Sequence, residues 1–321
     1  MDEDEGVARR RWTAAGIGAV AHEALASGLS PSAVWSLLLD VLARRAAERT
    51  PAGVLRQWQR DGFTRPAPVD QRTLVALDAT LFAAAQAFEA VELSPLAPLG
   101  ACSVVGLGSQ NRIVSALRGT EVVADPTNVL ALESARRLRE RPGEVVRLAT
   151  SHRCVRAQEV PKGPGFAQHF RIFCLATAGR EHKDHAFVVA ALVEQIETWL
   201  RALAQLETQG YAFPGRSVAV LASPGRERLA ERVASFVHDV PVSQGVLEHS
   251  YYGGLRFTIS PRDLPRGGVP LIDGGVFDWL SKLSSNQRLV FVASGMGSQL
   301  AAALFRPAAP HSSGTALGGR G

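Results

Sequence analysis

The sequence predicts an α+β fold, because a β-hairpin near the middle of the chain is flanked by segments with helical periodicity. Two apolar runs, Val145 to Ala157 and Phe166 to Ala178, enclose a Pro/Gly cluster at 161–165. Such a cluster between strand-like runs is typical of a hairpin with a long loop. The second run has large apolar side chains on both faces, which predicts a central strand covered on both sides of its sheet.

Cationic side chains lie in or beside both strands of this predicted hairpin. They are Arg147, Arg153, Arg156, His169 and Arg171. A buried cation without a partner is costly, so these side chains need either solvent or an anion. Any one of them can lie at a strand end and extend into water. Taken together on one hairpin, they favour an anion site.

The first part of the chain reads as an N-terminal helical extension, residues 1–68. Three helices are predicted between residues 13 and 60, and Ser30-Pro31 and Thr50-Pro51 provide the start signals for the last two. A Pro-rich linker at 63–68 ends the extension, because each Pro disfavours helix at the preceding residue.

The predicted core spans residues 69–306 and begins with a helix from Asp70 to about Phe88, in which Leu74, Leu77 and Leu81 follow helical spacing. Residues 307–321 form a Gly/Ser-rich tail. Further predictions are short strands or a loop over 101–117, a strand at 121–124, a helix over 125–141, a helix over 183–210, a strand at 217–221, a helix over 225–238, a strand at 289–293 and a helix after it.

Composition sets the broad class of the protein. With 321 residues, 46% of them hydrophobic and 20% charged, the chain is globular and large enough for one or two domains. No apolar run is long enough for a membrane span and no signal peptide is evident, so we expect a cytoplasmic protein without a membrane partner. Three cysteines without CxxC spacing fit reduced thiols, and no metal site is expected. The net charge of +5 permits binding to nucleic acid without requiring it.

The hairpin resembles motif 2 of the class II aminoacyl-tRNA synthetases, in which an Arg, a loop and a Phe bind ATP. Arg156 stands at the Arg of the motif, and Phe170 stands at the Phe that stacks on adenine. Gln158 occupies the position of the usual acidic residue. The resemblance implies that Arg156 is the candidate catalytic residue, and that Arg156, Gln158 and Phe170 contact a nucleotide.

Two other segments are similar to the remaining class II motifs. The stretch from Phe88 to Gly100, with its strand ending at Pro95, resembles motif 1, which forms the dimer interface of that family; it is also an ordinary amphipathic helix and strand. The strand and helix around Gly295 and Gly297 resemble motif 3, although Gln299 and Leu300 stand where the family has Glu and Arg. A Gly-rich turn before a helix can bind a phosphate through backbone N–H groups, or can simply allow close packing.

Three short segments resemble substrate-contacting motifs of the histidyl-tRNA synthetases. Asp125 and Thr127 replace the Arg and Glu of an Arg-Pro-Glu-x-Thr motif, and helix capping by Asp125 would equally explain them. The second segment keeps two tyrosines and a glycine, with Ser250 in place of an Asp, and the third keeps two glycines. The matching residues are Tyr251, Tyr252, Gly254, Gly274 and Gly275. Packed tyrosines beside a Gly bulge are the alternative for the second segment.

These matches occur in family order over residues 69–306, which implies an antiparallel β-sheet flanked by helices. The same description fits the regulatory subunit of ATP phosphoribosyltransferase, a relative of histidyl-tRNA synthetases without an anticodon-binding domain, and we expect that domain to be missing here as well. The altered positions favour a paralogue that does not charge tRNA in the ordinary way, keeps a pocket for an amino acid, nucleotide or similar ligand, and acts as a regulatory or partner subunit.

An ATP-dependent ligase that activates a carboxylate for a non-tRNA acceptor is the alternative. The resemblance makes ATP with Mg²⁺ the candidate cofactor and implies a homodimer, formed through the motif-1-like helix and strand. A partner enzyme is expected for the regulatory role, whereas tRNA binding is not expected.

Overall fold

The computed structural model describes residues 11–306, except 17, 107, 160–162, 164 and 263–268. The predictions for residues 1–10, for the tip of the hairpin loop at 160–162 and 164, and for the tail at 307–321 fall outside the described residues.

Short helical elements form the beginning of the chain. Helix α1 (Ala19–Glu23) continues into a π-helical turn (Ala24–Gly28). Helices α2 (Pro31–Ala47) and α3 (Pro51–Arg60) follow, and each begins at its predicted Pro. Ser30 Oγ accepts a hydrogen bond from the N–H of Ala33 at 3.3 Å, and Thr50 Oγ1 accepts one from Gly53 at 3.1 Å, so both caps form as the sequence predicts.

The remaining elements are eleven strands and six α-helices in the described part of the chain. They are α4 (Gln71–Ala84), β1 (Glu89–Ala90), β2 (Leu96–Pro98), β3 (Ser115–Ala116), β4 (Thr120–Val122), α5 (Pro126–Glu140), β5 (Val146–Val155), β6 (His169–Arg180), α6 (Ala186–Glu207), β7 (Ser217–Ala222), α7 (Glu227–Phe236), β8 (Val242–Val246), β9 (Leu255–Ser260), β10 (Ile272–Phe277), α8 (Trp279–Ser284), β11 (Leu289–Met296) and α9 (Ser298–Leu304).

Eight strands form the main sheet, in the order β1-β5-β6-β11-β10-β9-β7-β8. Neighbouring strands are antiparallel from β5 through to β7, and the two edge pairs, β1–β5 and β7–β8, are parallel. The predicted hairpin is confirmed, because β5 and β6 pair antiparallel from Val146–Ala178 to Val155–His169. A separate small sheet has the order β2-β4-β3. The fold is therefore α+β with a mainly antiparallel central sheet, as predicted.

Helices cover both faces of the main sheet. Phe173 and Leu175 of β6 pack in one apolar cluster with α4 and α6, whereas Cys174 and Ala176 pack in a second cluster with α5 and α8. All four side chains are at most 1% exposed. The alternation of β6 between two buried faces confirms that it is a central strand.

Two local predictions differ from the structure, and one strand has no counterpart among the predictions. The helix predicted to reach Phe88 ends at Ala84, and the strand predicted to end at Pro95 is split into β1 and β2 in different sheets. Strand β8 was not predicted, because Ser243, Gln244 and Gly245 provide no apolar alternation. Its place is set by parallel pairing with β7 across helix α7.

Candidate functional site

A cavity of about 490 Å³ lies over the ends of the central strands. It is lined by residues from six segments: the start of α5, the β5–β6 hairpin, the turn before β9, strand β10 with the residues just before it, the end of β11 and helix α9. Nine predicted site residues line it: Asp125, Thr127, Arg156, Gln158, Phe170, Tyr251, Tyr252, Gly295 and Gly297. The fold thus brings together groups that are up to 172 positions apart in the chain, from Asp125 to Gly297.

Three predicted glycines do not line this cavity. A Cβ atom added at Gly274 would lie 2.3 Å from Ser294 Cβ, and one added at Gly275 would lie 2.4 Å from the Leu255 carbonyl oxygen. Gly254 has φ +96°, and an added Cβ there would lie 2.6 Å from Arg226 Cδ. These three glycines therefore allow close backbone approach, and at Gly254 a left-handed turn. Their predicted substrate contacts stay a prediction.

Arg156 follows the last residue of β5 and enters the cavity with two partners of its own. Its Nε donates to the Ala124 carbonyl oxygen at 3.0 Å, and its Nη2 lies 3.7 Å from Asp125 Oδ2. Its Cζ lies 5.0 Å from the centroid of the Phe170 ring, a cation–π distance. We call Arg156, Asp125 and Phe170 the Asp125 cluster.

Asp125 also caps helix α5, as the sequence allowed. Its Oδ1 accepts hydrogen bonds from the backbone N–H of Thr127 at 3.0 Å and from Thr127 Oγ1 at 2.7 Å. One carboxylate oxygen is therefore used by the cap, and the other faces Arg156. Asp125 stands where the family motif has an Arg, so the charge at this position is reversed. The Asp125 carboxylate partly neutralises Arg156 of the hairpin.

A second cluster of similar composition also borders the cavity, through Asp273 and Tyr252. Asp273 accepts two hydrogen bonds from Arg256, at 2.9 Å from Nε and 2.8 Å from Nη2, and one from Tyr252 Oη at 2.7 Å. The Arg256 guanidinium lies 5.4 Å from the Tyr252 ring centroid. We call these three residues the Asp273 cluster. Only Tyr252 was a predicted site residue; an Asp at the second position of β10 carries no local signal for this role.

The two tyrosines of the cavity stay protonated at neutral pH. Burial raises the pKa of Tyr251, and the nearby Asp125 carboxylate raises it further. Burial and the Asp273 carboxylate raise the pKa of Tyr252 in the same way. Both side chains therefore offer a neutral phenol to a ligand, as an aromatic face and a hydrogen-bonding hydroxyl.

The charges that line the cavity are balanced. Among the described lining residues, two are carboxylates, Asp125 and Asp273, and two are guanidiniums, Arg156 and Arg171. Arg171 is held from outside the cavity, because its Nη1 lies 3.0 Å from Asp78 Oδ2 on α4. The predicted anion site is therefore present only as two cations that already have carboxylate partners.

The other cations of the hairpin point to different parts of the molecule. Arg147 Nε donates to Glu194 on α6 at 2.7 Å. Arg153 Nη1 lies 3.0 Å from His169 Nδ1 and 3.2 Å from Gln299 Oε1. Burial, together with the nearby Arg171, lowers the pKa of Arg153. No carboxylate in the described ranges lies within ion-pair distance of Arg153, and Arg153 does not line the cavity.

The residues at the motif-3 position contribute an apolar wall. Leu300 lines the cavity, and an added Cβ at Gly165 would lie 2.9 Å from Leu300 Cδ1, so the base of the hairpin loop rests on helix α9. Gln299 is 1% exposed and turns away towards Arg153. Phe166, Leu271 and Ile172 extend the apolar wall. Within the described residues, no group of three or more His, Cys, Asp or Glu side chains could hold a metal ion.

No protein-family model and no curated protein sequence matches this chain. A helix long and apolar enough to span a bilayer is not found in the described part of the chain.

Solved structures do match the fold. The chain superposes on an ATP phosphoribosyltransferase regulatory subunit/histidyl-tRNA synthetase from Bacillus halodurans C with a TM-score of 0.54 and 16% identity, over 75% of this chain and 82% of that one. A histidine–tRNA ligase subunit from Alicyclobacillus acidocaldarius superposes with a TM-score of 0.55 and 13% identity, over 80% of this chain and 96% of that one.

Apo histidyl-tRNA synthetase from S. aureus gives a TM-score of 0.55 and 12% identity, over 75% of this chain and 68% of that one. Identities this low establish the fold and leave the activity open. The chain therefore has the fold of the class II aminoacyl-tRNA synthetase core, with histidyl-tRNA synthetases and a related regulatory subunit among its structural neighbours.

Proposed function

We propose that this chain is a class II synthetase-like paralogue that does not charge tRNA in the ordinary way. In this proposal it keeps a pocket for a small ligand and acts as a regulatory or partner subunit. The observation that carries the proposal is the state of Arg156: its guanidinium already contacts Ala124, Asp125 and Phe170.

The described lining does not fit a nucleoside triphosphate. Each charge-assisted hydrogen bond to a phosphate oxygen contributes about 1.5 to 3 kcal/mol, so a triphosphate site requires several uncommitted cations. Arg156 and Arg171 both face carboxylates, and Leu300 offers no charge at the motif-3 position. One face of the Phe170 ring is covered by Arg156, which leaves less of it for a base. Binding of ATP with Mg²⁺ would require Arg156 to leave Asp125.

The same lining suits an amino acid or another small zwitterion. A zwitterion needs only one cation and one carboxylate, so opening the loose 3.7 Å contact between Arg156 and Asp125 would supply a partner for each of its charged groups, while Tyr251 and Tyr252 supply neutral hydroxyls. Leu300, Leu271 and Phe166 supply apolar contact for the body of the ligand. The cavity volume of about 490 Å³ is ample for such a molecule.

The partner role is supported by the structural neighbour described as a regulatory subunit. We propose a cytoplasmic protein that forms a homodimer through α4 and the motif-1-like segment from Phe88 to Gly100, and that binds a partner enzyme. Val75 of α4 is 56% exposed and Leu96 of β2 is 42% exposed, so apolar surface is available in this region.

Pyrophosphate exchange over a panel of amino acids, combined with a thermal-shift screen of amino acids and nucleotides, tests the proposal. We expect no exchange above background, and stabilisation by one class of zwitterionic ligand that is lost in Asp273→Asn and retained in Asp278→Asn. Robust exchange that Arg156→Ala abolishes would refute the proposal.

That result would instead establish the alternative, an ATP-dependent ligase that activates a carboxylate for a non-tRNA acceptor. The observation in its favour is that Arg156, Gln158 and Phe170 of the motif-2-like hairpin all line one cavity.

A further inference from the structure

At one end of the cavity, positive charge exceeds negative charge. Arg171 lines the cavity, and Arg153 stands directly opposite it in the pairing of β5 with β6. The side chains of directly opposed residues point to the same face of a sheet, with their Cβ atoms about 5 Å apart. Among the described residues, the carboxylate that pairs with them is that of Asp78, whose Oδ2 lies 3.0 Å from Arg171 Nη1. Two guanidiniums therefore share one carboxylate.

Arg153 is bound by neutral groups from two other elements. Its Nη1 lies 3.0 Å from His169 Nδ1 and 3.2 Å from Gln299 Oε1. A guanidinium can only donate, so His169 Nδ1 accepts, and Nε2–H of the same ring donates to the Arg65 carbonyl oxygen at 2.6 Å. The imidazole is therefore neutral in this arrangement. Burial and the opposed Arg171 lower the pKa of Arg153, as expected for a cation that lacks a nearby carboxylate.

Other ionisable groups in this part of the molecule do not cancel the surplus. Burial lowers the pKa of His152, so its ring is neutral at pH 7, and Glu92, which acts on that ring, is exposed to solvent. Glu121 is buried, but it does not line the cavity, and its carboxylate accepts hydrogen bonds from two backbone N–H groups in the 100–102 turn. The two clusters defined above each pair one carboxylate with one guanidinium. The surplus is therefore local to the end of the cavity that Arg171 lines.

The same end of the cavity contains buried donors that lack an acceptor. Arg171 Nε, Ser298 Oγ and Gln299 Nε2 have no hydrogen-bond partner within the described part of the chain. Ser298 and Gln299 begin helix α9 directly after Gly297, which lines the cavity, and Arg171 lies beside this turn because β6 pairs with the end of β11. All three atoms can donate a hydrogen bond, and a buried donor without an acceptor is costly. An anionic group placed against Arg171 is the acceptor that this region lacks.

We propose that the ligand of this cavity is an amino acid whose side chain carries a second anionic group, a carboxylate or a phosphate, and that Arg171 binds this group. The inference rests on the zwitterion pocket of the proposed function and specifies which zwitterion it takes. Asp125 and Arg156 receive the α-ammonium and the α-carboxylate, and the local surplus at Arg171 receives the third charged group. A neutral side chain would leave that surplus without a counter-charge.

Asp78 and Arg153 set the size of this surplus from outside the cavity lining. The Asp78 side chain is 12% exposed, and its Oδ1 also accepts a hydrogen bond from Ser151 Oγ at 2.8 Å. Neither residue needs to touch the ligand, since a charge behind Arg171 acts through space in a partly buried site. Arg153→Gln should remove the surplus, whereas Asp78→Asn should double it, so the two substitutions have opposite expected effects.

Calorimetric titration of the full chain with matched pairs of amino acids tests the proposal. The pairs are glutamate and glutamine, aspartate and asparagine, and O-phosphoserine and serine. We expect the acidic member of at least one pair to bind about tenfold more tightly than its neutral counterpart, and the pair that shows it distinguishes a carboxylate from a phosphate. Equal or tighter binding of the neutral member in all three pairs overturns this inference and leaves the zwitterion pocket in place.

The other outcomes separate this inference from the proposed function. Absence of binding by all six ligands also overturns the inference, and the wider ligand screen then decides whether the pocket takes any zwitterion. Preference for an acidic ligand, accompanied by pyrophosphate exchange that Arg156→Ala abolishes, would refute the proposed non-charging role while the ligand class stands.

Substitutions outside the lining provide the second readout. The ratio of acidic to neutral affinity should fall about three- to tenfold in Arg153→Gln and rise in Asp78→Asn. Arg147→Gln is the control on the same strand, because Arg147 pairs with Glu194 on α6, and its ratio should not change. Thermal unfolding verifies that each variant is folded, and either variant alone gives a sign to check. A ratio that Arg153→Gln leaves unchanged, or that Asp78→Asn lowers, overturns the proposal.

Discussion

Two clusters of arginine, aspartate and an aromatic ring face the same cavity, and they differ in how tightly the charges are held. In the Asp273 cluster, Arg256 donates two hydrogen bonds of 2.9 and 2.8 Å, and Tyr252 donates a third of 2.7 Å. In the Asp125 cluster, the closest contact of Arg156 to the carboxylate is 3.7 Å. The planar, bidentate pair is the stronger arrangement.

The Asp273 cluster is therefore a rigid part of the cavity lining, whereas the Asp125 cluster can rearrange when a ligand binds. The carboxylate of Asp273 is fully engaged by its neighbours, so a ligand meets it in one orientation. Asp125 shares one oxygen with its helix cap and faces Arg156 only loosely with the other. A ligand with a carboxylate or phosphate can compete for Arg156 more easily than for Arg256. We therefore expect changes to the Asp273 cluster to alter stability as well as ligand binding, and changes to the Asp125 cluster to alter mainly binding.

The largest effect is expected for Asp273→Asn. The substitution removes the charge that Arg256 and Tyr252 share, and leaves a guanidinium that is 20% exposed without its ion pair. We expect the free energy of unfolding to fall by roughly 2 kcal/mol, because the site is only partly screened by solvent. Urea unfolding measures it. Asp278→Asn is the matched control, since the Asp278–Lys282 pair is more than half exposed on both sides; its change should stay within about 0.5 kcal/mol. Equal losses would mean that the Asp273 cluster is not a fixed structural unit.

The second prediction concerns Asp125→Asn. Asparagine caps a helix about as well as aspartate, so stability should change little, while Arg156 loses its counter-charge. We expect the affinity for pyrophosphate, measured by calorimetry, to rise about tenfold, which corresponds to roughly 1.4 kcal/mol. Adding Arg156→Ala should reverse the gain. An unchanged affinity in the single variant would show that Asp125 does not limit anion binding by Arg156.

The third prediction is a pH dependence at the Asp273 cluster. Burial raises the pKa of Tyr252 above its ordinary value of 10.0. Above about pH 10 the unfolded chain therefore loses this proton, whereas the folded protein still holds it. The free energy of unfolding should therefore fall as the pH rises above about 10, by up to about 1.4 kcal/mol per pH unit for one tyrosine. Urea unfolding between about pH 9 and 11 should show a shallower fall for Tyr252→Phe. A slope identical to that of the unchanged protein would contradict the assignment.

The smallest effects separate the two arginines. Lysine cannot form the bidentate contact that Arg256 makes with Asp273, so Arg256→Lys should cost about 1 kcal/mol of unfolding free energy. Arg156→Lys loses mainly the contact over Phe170 and a hydrogen bond to Ala124, and we expect about 0.5 kcal/mol. Thermal unfolding of both variants gives the comparison. A larger loss for Arg156→Lys would reverse the order of the two clusters.

Local sequence signals were enough to predict the elements that have a clear helix cap or a regular pattern of apolar residues. Ser30 and Thr50 define the starts of α2 and α3 because each hydroxyl caps a helix within three residues of the chain. The two-sided apolar pattern of Phe173 and Cys174 placed β6 at the centre of the sheet, since both faces of that strand had to be covered. Strand β8 could not be predicted, because its five residues have no apolar pattern and it is held by pairing to β7.

The residues of the candidate site also fall into two groups, those that local motifs predict and those that only tertiary contacts bring to the cavity. The hairpin and the capped start of α5 identified Arg156, Phe170 and Asp125 because their motifs are contiguous in sequence. Asp273 was missed as a site residue, since its role depends on contacts to Tyr252 and Arg256 that the local sequence does not reveal. Arg171 was predicted as one cation of the hairpin, but its pairing with Asp78 depends on a residue far away in the chain. Gly274 permits close packing of β10 on β11, and its predicted contact with a substrate stays a prediction.

The sequence by itself determined the helix starts, the central hairpin and the order of the motif-like segments, because these depend on backbone preferences and on the spacing of apolar residues. Only the tertiary structure decided which charges meet. Whether Arg156 is available to an anion depends on Asp125, which is 31 positions earlier in the chain but lies 3.7 Å away, and on Leu300, which stands where another cation would be needed. Electrostatic pairing acts over distances in space, and the sequence does not record those distances.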